Sequence, residues 1–291
     1  MQRLSLKSPA KINLLLKILG KRRDGYHSLL TVFQRISLAD TLRLTKRRKG
    51  FFLSSTAPGL SAGEDNLITR AYRALAARFP DLGGVSVRLE KNIPLGAGLG
   101  GGSSNAAHFL LGMKRLYNLK ISAPELREIA RGLGADVPFF LYDASLAVGT
   151  GRGDRIDPRP SPGRFWIVLA TSEKGLSTKQ IYEGFKPSSR PPSLTRQKAV
   201  VKLLFQFLAK KKVPALADLL ENDLEASAFL ARPSLKRVIA VFKKCGARTV
   251  RMSGSGPTVF ALFGDAGEAR SFARRLRPAL PSREIRICHS Y

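Results

Sequence analysis

The feature that constrains this chain most is a dense cluster of glycines between a strand-like segment and a helix-like segment. Residues 85–90 alternate apolar and polar side chains as a β-strand does, and residues 104–116 carry an apolar face of helical period. Between them, five of the seven residues 96–102 are glycine. Uncovered backbone N–H groups can converge on one anion, and the N-terminus of the following helix adds about half a positive charge. We therefore predict a phosphate-binding loop, since a flexible linker would not join a well-formed strand to an amphipathic helix.

The residues of this loop exclude the commonest phosphate-binding motifs. A P-loop requires a lysine followed by serine or threonine, and residues 94–104 contain neither lysine nor arginine. Gly96, Gly98 and Gly101 satisfy the dinucleotide-binding spacing, but a run this rich in glycine matches many patterns by accident. The flanking βαβ unit and the later acidic residue of that motif are not convincing, and the protein-kinase segments are absent. The loop therefore belongs to another class of phosphate-binding loop.

Strands and helices alternate irregularly along the rest of the chain. This mixture, without a regular βαβ period, predicts an α+β protein of two domains that join in the Gly/Pro/Arg/Asp-rich segment 149–163. Besides the two segments around the loop, the pattern predicts strands at 11–18, 165–169, 259–263 and 284–288, helices at 123–131, 196–209, 214–228, 233–244 and 267–276, and a loop at 187–193.

The chain is strongly basic, with 50 lysines and arginines against 21 acidic residues and a net charge of +29. Such a charge is typical of a nucleic-acid-binding protein, or of a generally basic surface that also attracts small anionic ligands. We favour the basic surface, because the basic runs 21–23, 46–49 and 210–212 are short and the remaining charges are spread along the chain.

Cysteine, histidine and hydrophobic patterning exclude several further classes of protein. The two cysteines lie far apart and the three histidines are scattered along the chain, so no zinc-ligand spacing exists. No apolar run approaches the roughly 20 residues that span a bilayer, and the first residues lack the apolar stretch of a signal peptide. We therefore expect a reduced, cytoplasmic protein.

Three glycine-rich or polar motifs, in this order along the chain, resemble those of one superfamily of small-molecule kinases. They are Ser8–Leu14, the loop with its continuation to Ala107, and Met252–Val259. The set is similar to the galactokinase, homoserine kinase, mevalonate kinase and phosphomevalonate kinase superfamily, and the resemblance covers essentially the whole chain.

Further segments resemble one branch of that superfamily, the 4-diphosphocytidyl-2-C-methyl-D-erythritol kinases of the non-mevalonate isoprenoid pathway. These segments are Arg23–His27, Gly134–Pro138 and Asn222–Glu225, together with the glycine count of the loop and Asn105. The sequence departs from that branch at Ala97, where glycine is common, at Tyr182, where some members have phenylalanine, and in its high basicity.

The resemblance implies a two-domain fold with the active site between the domains. It implies an N-terminal ATP-binding domain over residues 1–155, like ribosomal protein S5, and a ferredoxin-like C-terminal domain over residues 156–291. The implied reaction transfers phosphate from ATP, with Mg²⁺, to the 2-hydroxyl of 4-diphosphocytidyl-2-C-methyl-D-erythritol. We expect a monomer or weak dimer.

The candidate catalytic residues are Asp136 and Lys11. Asp136 follows two glycines and precedes Val137–Pro138. By sequence alone it could equally cap a helix or shape a turn. The alternation of residues 11–18 says only that Lys11 and Asn13 share a strand face. The resemblance implies that Asp136 takes the proton of the substrate hydroxyl, that Lys11 lies near it and stabilises the transferred charge, and that Asn13 binds substrate.

The resemblance also implies two sets of binding residues. Tyr26, His27 and Tyr182 would hold the cytosine of the substrate, although a Tyr-His pair in a loop is usually explained by packing alone. Ser104 is a candidate magnesium contact, and no other protein ligand to the metal is identified. The implied ATP-binding residues are Pro94, Leu95, Gly96, Ala97, Gly98, Leu99, Gly100, Gly101, Gly102, Ser103, Ser104, Ser255 and Gly256.

Two alternative functions remain open at this point. One is another kinase of the superfamily, acting on homoserine or mevalonate, against which Tyr26–His27 and the additional glycines argue. The other is a basic nucleic-acid-binding protein with a vestigial kinase fold, against which the reactive side chains of all three motifs argue. We expect no specific nucleic-acid partner and no membrane partner.

Overall fold

The computed structural model describes residues 2–172, 174–187 and 193–291. It divides into two compact units, and each is interrupted in sequence. The first unit contains the segment ending at Ala10 with Leu38–Ile93 and Gly100–Asp143, and the second contains Lys11–Ser37, Pro94–Leu99 and Ala144–Tyr291. The domain boundary predicted near residue 155 stays a prediction.

Strands and helices are present in both units, which confirms the α+β class. The strands are β1 (Arg3–Lys21), β2 (His27–Arg47), β3 (Phe51–Ser55), β4 (Gly84–Glu90), β5 (Leu146–Gly151), β6 (Arg155–Arg159), β7 (Trp166–Thr171), β8 (Glu221–Asn222), β9 (Val250–Met252), β10 (Val259–Phe263) and β11 (Glu284–His289). The α-helices are α1 (Leu67–Arg78), α2 (Gly101–Leu116), α3 (Ala123–Leu133), α4 (Thr178–Glu183), α5 (Leu194–Ala209), α6 (Glu225–Ala231), α7 (Ser234–Lys244) and α8 (Ala266–Ala279), and 3₁₀ helices cover Pro138–Leu141 and Val213–Leu216.

The first unit contains the helices α1, α2 and α3 and part of a seven-stranded sheet. The second half of β2 pairs antiparallel with β4, from Thr41 opposite Glu90 to Arg47 opposite Gly84, and β3 lies parallel to β4 on its other side. The helix α2 buries its apolar face, including Phe109 and Leu110, because apolar residues recur there at helical spacing. This packing fixes the helix that follows the glycine loop.

In the second unit, a four-stranded antiparallel sheet has the order β11-β7-β10-β9. The helices α7 and α8 pack on it, and their buried side chains form one hydrophobic cluster with the sheet that includes Phe242, Phe272 and Val168. The first half of β2 pairs antiparallel with β5, and β8 pairs parallel with β1. The part of β1 from Lys11 onwards and the segment 253–256 therefore both belong to the second unit.

The structure confirms most of the predicted elements and contradicts one of them. The strand at 259–263 is observed as predicted, and α2 begins three residues before the predicted start at 104. The predicted helix at 214–228 is wrong, because the 3₁₀ helix Val213–Leu216, β8 and α6 occupy that region. Asn222 breaks the helical pattern there, since its side chain accepts a hydrogen bond from the Leu224 N–H at 3.0 Å.

Two glycines of the segment 149–163, which was interpreted as a junction, form the turn of a hairpin between β5 and β6; they are Gly151 and Gly153, both at positive φ. Of the loop predicted at 187–193, residues 188–192 lie outside the described residues. Across the ranges that the structure describes, no helix is long and apolar enough to cross a membrane.

We predict that Phe242→Ala lowers the free energy of unfolding of the second unit by about 3–5 kcal/mol, through lost apolar burial and the cavity left behind. The Phe242 side chain is fully buried, and its ring centroid lies 5.5 Å from that of Phe272. Urea denaturation followed by the fluorescence of Trp166, the single tryptophan, which lies in β7, measures the change. The matched control Leu230→Ala, at a side chain 74% exposed, should change it by about 0.5 kcal/mol or less.

Candidate active site

The first part of the glycine loop, residues 94–99, is fixed by backbone contacts within the second unit. Gly98 has a φ of +74°, and its carbonyl oxygen accepts a hydrogen bond from Ser253 Oγ at 2.9 Å. A Cβ at Gly98 would lie 2.2 Å from the Ser253 carbonyl oxygen, so only glycine fits there. The Leu99 carbonyl accepts the N–H of Lys11 at 2.9 Å. The loop is thereby attached to β1 and to the segment 253–256.

A second backbone contact holds the loop at Gly96. The Gly96 carbonyl accepts the N–H of Leu176 at 3.2 Å, and a Cβ at Gly96 would lie 3.1 Å from the Cα of Gly175. The Arg232 guanidinium fixes this neighbouring segment by donating hydrogen bonds to the carbonyls of Lys174, at 2.7 Å, and Gly175, at 2.9 Å. The segment 174–176 therefore lies directly against the loop backbone.

The third motif, around Gly254, is held by the side chains of Asn222 and Glu225. Asn222 Nδ2 donates to the carbonyls of Met252 and Gly254, each at 2.8 Å, and Glu225 Oε1 accepts the Met252 N–H at 2.8 Å. Burial raises the pKa of the Glu225 carboxyl, and the hydrogen bond from Met252 opposes that shift. Thr178 Oγ1 lies 2.9 Å from Ser255 Oγ. The Asn222–Glu225 segment thus orients the glycines of the third motif.

Lys11 and Asn13 form a buried polar pair on β1. The Lys11 ammonium donates to Asn13 Oδ1 at 2.6 Å, and Asn13 Nδ2 donates to Thr31 Oγ1 at 2.8 Å. Both side chains are 3% exposed, although the sequence predicted a polar face for them. A Cβ at Gly254 would lie 3.4 Å from both Lys11 Nζ and Asn13 Oδ1, so the backbone of the third motif lies against this pair.

Aromatic rings cluster around His27. The rings of His27 and Tyr182 are stacked, with centroids 5.8 Å apart and planes at 27°, and Phe185 contacts the His27 ring edge to face at 5.9 Å. Burial lowers the pKa of His27, and the charge of Lys21 lowers it further. Tyr26 is 58% exposed, and the Arg152 guanidinium lies 5.1 Å from its ring centroid. The structure therefore groups His27 with Tyr182, and Tyr26 with Arg152.

In the first unit, the glycine loop continues into the N-terminus of α2. Gly100 adopts a left-handed conformation with a φ of +68°, and its carbonyl accepts the first helical hydrogen bond, from the Ser104 N–H at 2.8 Å. None of the described side chains caps this end of α2. The N–H groups of the first turn have no partner within a helix, so this end carries the partial positive charge expected of an anion site.

Ser104 and its neighbour Asn105 are buried in the first unit. Ser8 Oγ donates to Ser104 Oγ at 2.8 Å, and both side chains have no exposed surface. Asn105 Nδ2 donates to Ser8 Oγ at 3.0 Å and to Asp40 Oδ2 at 2.9 Å. Within the described ranges, no group of three or more His, Cys, Asp or Glu side chains could hold a metal ion. The assignment of Ser104 as a metal contact stays a prediction.

Asp136 lies in the turn that follows α3. The turn is fixed by a hydrogen bond from the Val137 N–H to the Gly134 carbonyl at 3.2 Å and by the 3₁₀ helix that begins at Pro138. Val137 and Pro138 are buried, whereas Asp136 is half-buried. The rigid turn presents the carboxylate near the surface of the first unit.

Sequence reasoning missed several residues of this region. Asp40 and Lys91 form a buried ion pair beside Asn105, and Phe185 completes the cluster around His27. Thr178 contacts the third motif. The signal available for Asp40 was the only acidic residue in the segment 36–44, and an exposed turn residue would give the same signal.

Comparisons with known proteins agree with this architecture. The family model of the GHMP kinase N-terminal domain matches residues 66–144, and that of the GHMP kinase C-terminal domain matches residues 204–281. A 4-diphosphocytidyl-2-C-methyl-D-erythritol kinase of Desulfotalea psychrophila is 40% identical over 264 residues, covering 90% of this chain and 86% of the relative.

Solved structures give the same result. A crystal structure of a 4-(cytidine 5'-diphospho)-2C-methyl-D-erythritol kinase superposes with a TM-score of 0.83 at 35% identity, covering 99% of each chain. A homoserine kinase from Cytophaga hutchinsonii superposes with a TM-score of 0.77 at 17% identity, covering all of this chain and 95% of the other, which shows a shared fold.

We predict that Gly98→Ala weakens the affinity for ATP about 10- to 100-fold, because the loop backbone must move away from Ser253 and misplaced groups lose binding steeply. The left-handed φ of +74° adds about 1–2 kcal/mol of strain. Calorimetric titration with ATP measures the effect. The control Gly132→Ala, at a helical position with no atom within 4 Å of the new Cβ, should bind ATP as the wild type does. Equal affinity in the two variants would contradict the assignment of the loop.

Proposed function

The chain belongs to the 4-diphosphocytidyl-2-C-methyl-D-erythritol kinase family of the GHMP kinases, and from that membership we propose that it phosphorylates the 2-hydroxyl of 4-diphosphocytidyl-2-C-methyl-D-erythritol. The family uses ATP as its phosphoryl donor. The single observation that carries the proposal furthest is the close contact of Gly98 with the third motif beside Lys11 and Asn13. It brings parts of three of the motifs that resemble the family together within the second unit.

We assign ATP binding to residues 94–104 together with Ser255 and Gly256. Glycines at positive φ leave the backbone of the loop uncovered, and α2 begins with uncapped N–H groups that favour phosphate oxygens. We propose that Mg²⁺ accompanies the ATP phosphates and neutralises their charge, as is general in phosphoryl transfer. The loop itself supplies no cationic side chain, so Lys11 is the protein cation assigned to the transferred group.

The proposed chemistry is a direct displacement at the γ-phosphorus of ATP. Asp136 accepts the proton of the 2-hydroxyl as the oxygen attacks, the bond between the γ-phosphorus and the bridging oxygen breaks, and ADP leaves. Lys11 stabilises the charge on the transferred phosphoryl oxygens. Its ammonium is held by Asn13 Oδ1 on a strand, so its position costs little reorganisation during the reaction.

We assign recognition of the cytosine to Tyr26, His27 and Tyr182, and a hydrogen bond to the substrate to Asn13. Support comes from the lowered pKa of His27, which keeps its imidazole neutral near pH 7. A neutral imidazole carries one donor and one acceptor and can discriminate between the edges of bases. Tyr182 already holds the His27 ring by stacking, and the exposed Tyr26 ring offers a face for a base.

The proposal also covers the cellular location, the oligomeric state and the partners of the enzyme. We propose that the enzyme works in the cytoplasm as a monomer or weak dimer, without a specific nucleic-acid or membrane partner, and that its basic surface attracts the anionic substrates. We also propose that the boundary between the N-terminal and C-terminal domains lies near residue 155.

A coupled assay of ADP release tests the proposed substrate. The panel contains 4-diphosphocytidyl-2-C-methyl-D-erythritol, homoserine and mevalonate at matched concentrations, with ATP and Mg²⁺. The proposal expects turnover of the cytidine diphosphate alcohol at a kcat/KM at least about 100-fold above that of the others. Preferred turnover of homoserine or mevalonate would overturn it.

The same assay tests Asp136. We predict that Asp136→Asn lowers kcat by about 100-fold or more, because a positioned base contributes 10²–10⁴ to the rate. The affinity for ATP and the melting temperature should remain those of the wild type, since the change preserves the shape of the side chain. Asp143→Asn, at another carboxylate of the first unit, is the control and should retain the wild-type kcat. Near-normal turnover by folded Asp136→Asn would exclude Asp136 as the base.

The assignment of the cytosine site generates a further prediction. Tyr26→Ala should raise the KM for the cytidine substrate roughly 5- to 150-fold, the equivalent of the 1–3 kcal/mol of one stacked base. The KM for ATP should stay unchanged. His27→Ala should reduce discrimination against the uridine analogue of the substrate, because a site built for one base edge leaves polar groups unpaired with the other. Steady-state kinetics of both variants with both substrates measure these effects. A rise confined to the KM for ATP would show that Tyr26 serves the other ligand.

A further inference from the structure

A buried ion pair in the first unit takes no part in the chemistry described above. The Asp40 side chain has no exposed surface, the Lys91 side chain is 5% exposed, and Lys91 Nζ donates directly to Asp40 Oδ2. Burying charged groups costs several kcal/mol per ion, and a buried pair is often no more stabilising than apolar residues of the same volume. Burial lowers the pKa of Lys91, although the neighbouring charge of Asp40 opposes this. The pair is therefore better explained by what it positions than by stability.

One oxygen of Asp40 holds the residues that lead into the glycine loop. Asp40 Oδ1 accepts the N–H of Asn92 at 2.7 Å and the N–H of Ile93 at 2.8 Å. The Asn92 side chain reinforces this contact by donating to the Ala39 carbonyl at 3.0 Å. The next residue, Pro94, has no N–H, so these are the last two backbone donors before the loop.

The other oxygen of Asp40 holds the helix into which the loop returns. Asp40 Oδ2 accepts Asn105 Nδ2 at 2.9 Å as well as Lys91 Nζ, and Asn105 lies in the second turn of α2. The two ends are closely packed, because a Cβ at Gly101 would lie 3.0 Å from Cγ2 of Ile93 and 3.2 Å from Lys91 Nζ. A single carboxylate thus fixes the distance between Ile93 and the N-terminus of α2.

We propose that Asp40 is a positioning residue of the ATP-binding loop, and that its charge, neutralised by Lys91, sets the spacing of the two loop ends. This inference rests on the proposed function, in which the loop binds ATP. The six residues 94–99 must span the gap between Ile93 and Gly100. That gap is the distance, within the first unit, between the point where the chain enters the loop and the uncapped N–H groups at the start of α2. Asp40 therefore acts on ATP through the loop backbone and touches no reacting atom.

The chemistry of the pair makes a rescue experiment available. Asp40→Asn keeps one oxygen for the N–H groups of Asn92 and Ile93 but turns an NH₂ group towards two other donors, Lys91 Nζ and Asn105 Nδ2. Lys91→Met removes the charged donor, and the Asn105 amide can then rotate to accept from the new NH₂. Asp40→Asn with Lys91→Met should therefore restore the spacing, whereas Asp40→Ala with Lys91→Met leaves both N–H groups without an acceptor.

The experiment titrates the purified full-length variants with ATP by calorimetry and measures their melting temperatures. We expect Asp40→Asn to weaken ATP binding about 10- to 100-fold, in the range of a lost hydrogen bond to a charged group. Asp40→Asn/Lys91→Met should bind within about threefold of the wild type, and Asp40→Ala/Lys91→Met as weakly as the single variant. In kinetics, the KM for ATP should rise while the KM for the alcohol substrate stays constant.

The control Leu116→Ala separates positioning from general stability. Leu116 is 3% exposed at the far end of α2, so this change should lower the melting temperature and leave the affinity for ATP unaltered. Wild-type ATP affinity in folded Asp40→Asn would overturn the proposal. Equal rescue by Asn and Ala beside Lys91→Met would do so as well, and that comparison remains decisive where the single variant fails to fold.

The outcome for Asp40 is separable from the outcome for the proposed substrate. A wild-type protein that binds ATP but does not phosphorylate the cytidine diphosphate alcohol would overturn the substrate, while the ATP titrations would still support or refute the role of Asp40. A wild-type protein that binds no ATP would overturn both.

Discussion

The arrangement of the second unit depends on one close approach between backbones, that of Gly98 and the segment 253–256. A side chain at Gly98 would overlap the Ser253 carbonyl oxygen, so this contact requires glycine in the loop. The contact brings the loop beside β1, and Gly254 beside Lys11 and Asn13. Because no side chain intervenes at Gly98, the two backbones lie in direct contact, and the Ser253 hydroxyl fixes the loop by donating to the Gly98 carbonyl.

Each unit contains a buried polar side chain that forms hydrogen bonds to the backbone next to the proposed site. Asn222 binds two carbonyls of the third motif, and Asp40 binds two N–H groups ahead of the glycine loop. A buried polar group that lost its partner would cost about 1–3 kcal/mol, so each network favours one loop conformation over the alternatives. Two flexible, glycine-rich segments are thereby held in place by side chains outside them.

The sequence predicted correctly those elements in which the spacing of apolar residues and the capping residues indicated the same boundaries. Helix α3 has Ser122 and Glu125 in a reciprocal capping box and was predicted from its first residue, Ala123. The helix predicted at 214–228 failed because its apolar spacing continues across Asn222, whose side chain instead bonds to backbone more than 25 residues away. The long strand β2 was missed, because residues 29–34 are buried on both faces without alternation and Asp40 interrupts the apolar face of the second half.

The sequence by itself determined the family and, through the family, the reaction expected of the chain. Glycine spacing, the order of three motifs and the residues Lys11 and Asp136 are all local, and so are the strand and the helix that flank the loop. Only the tertiary structure decided which side chains hold the backbone around these motifs. Asp40 meets Lys91 across 51 residues and Asn105 across 65, and Lys11 and Asn13, which period placed on a polar face, are buried. The physical reason is that the periodicity of apolar and polar residues specifies only which face of an element a side chain occupies. Which partner the side chain meets depends on the distant segments that the fold packs against that face.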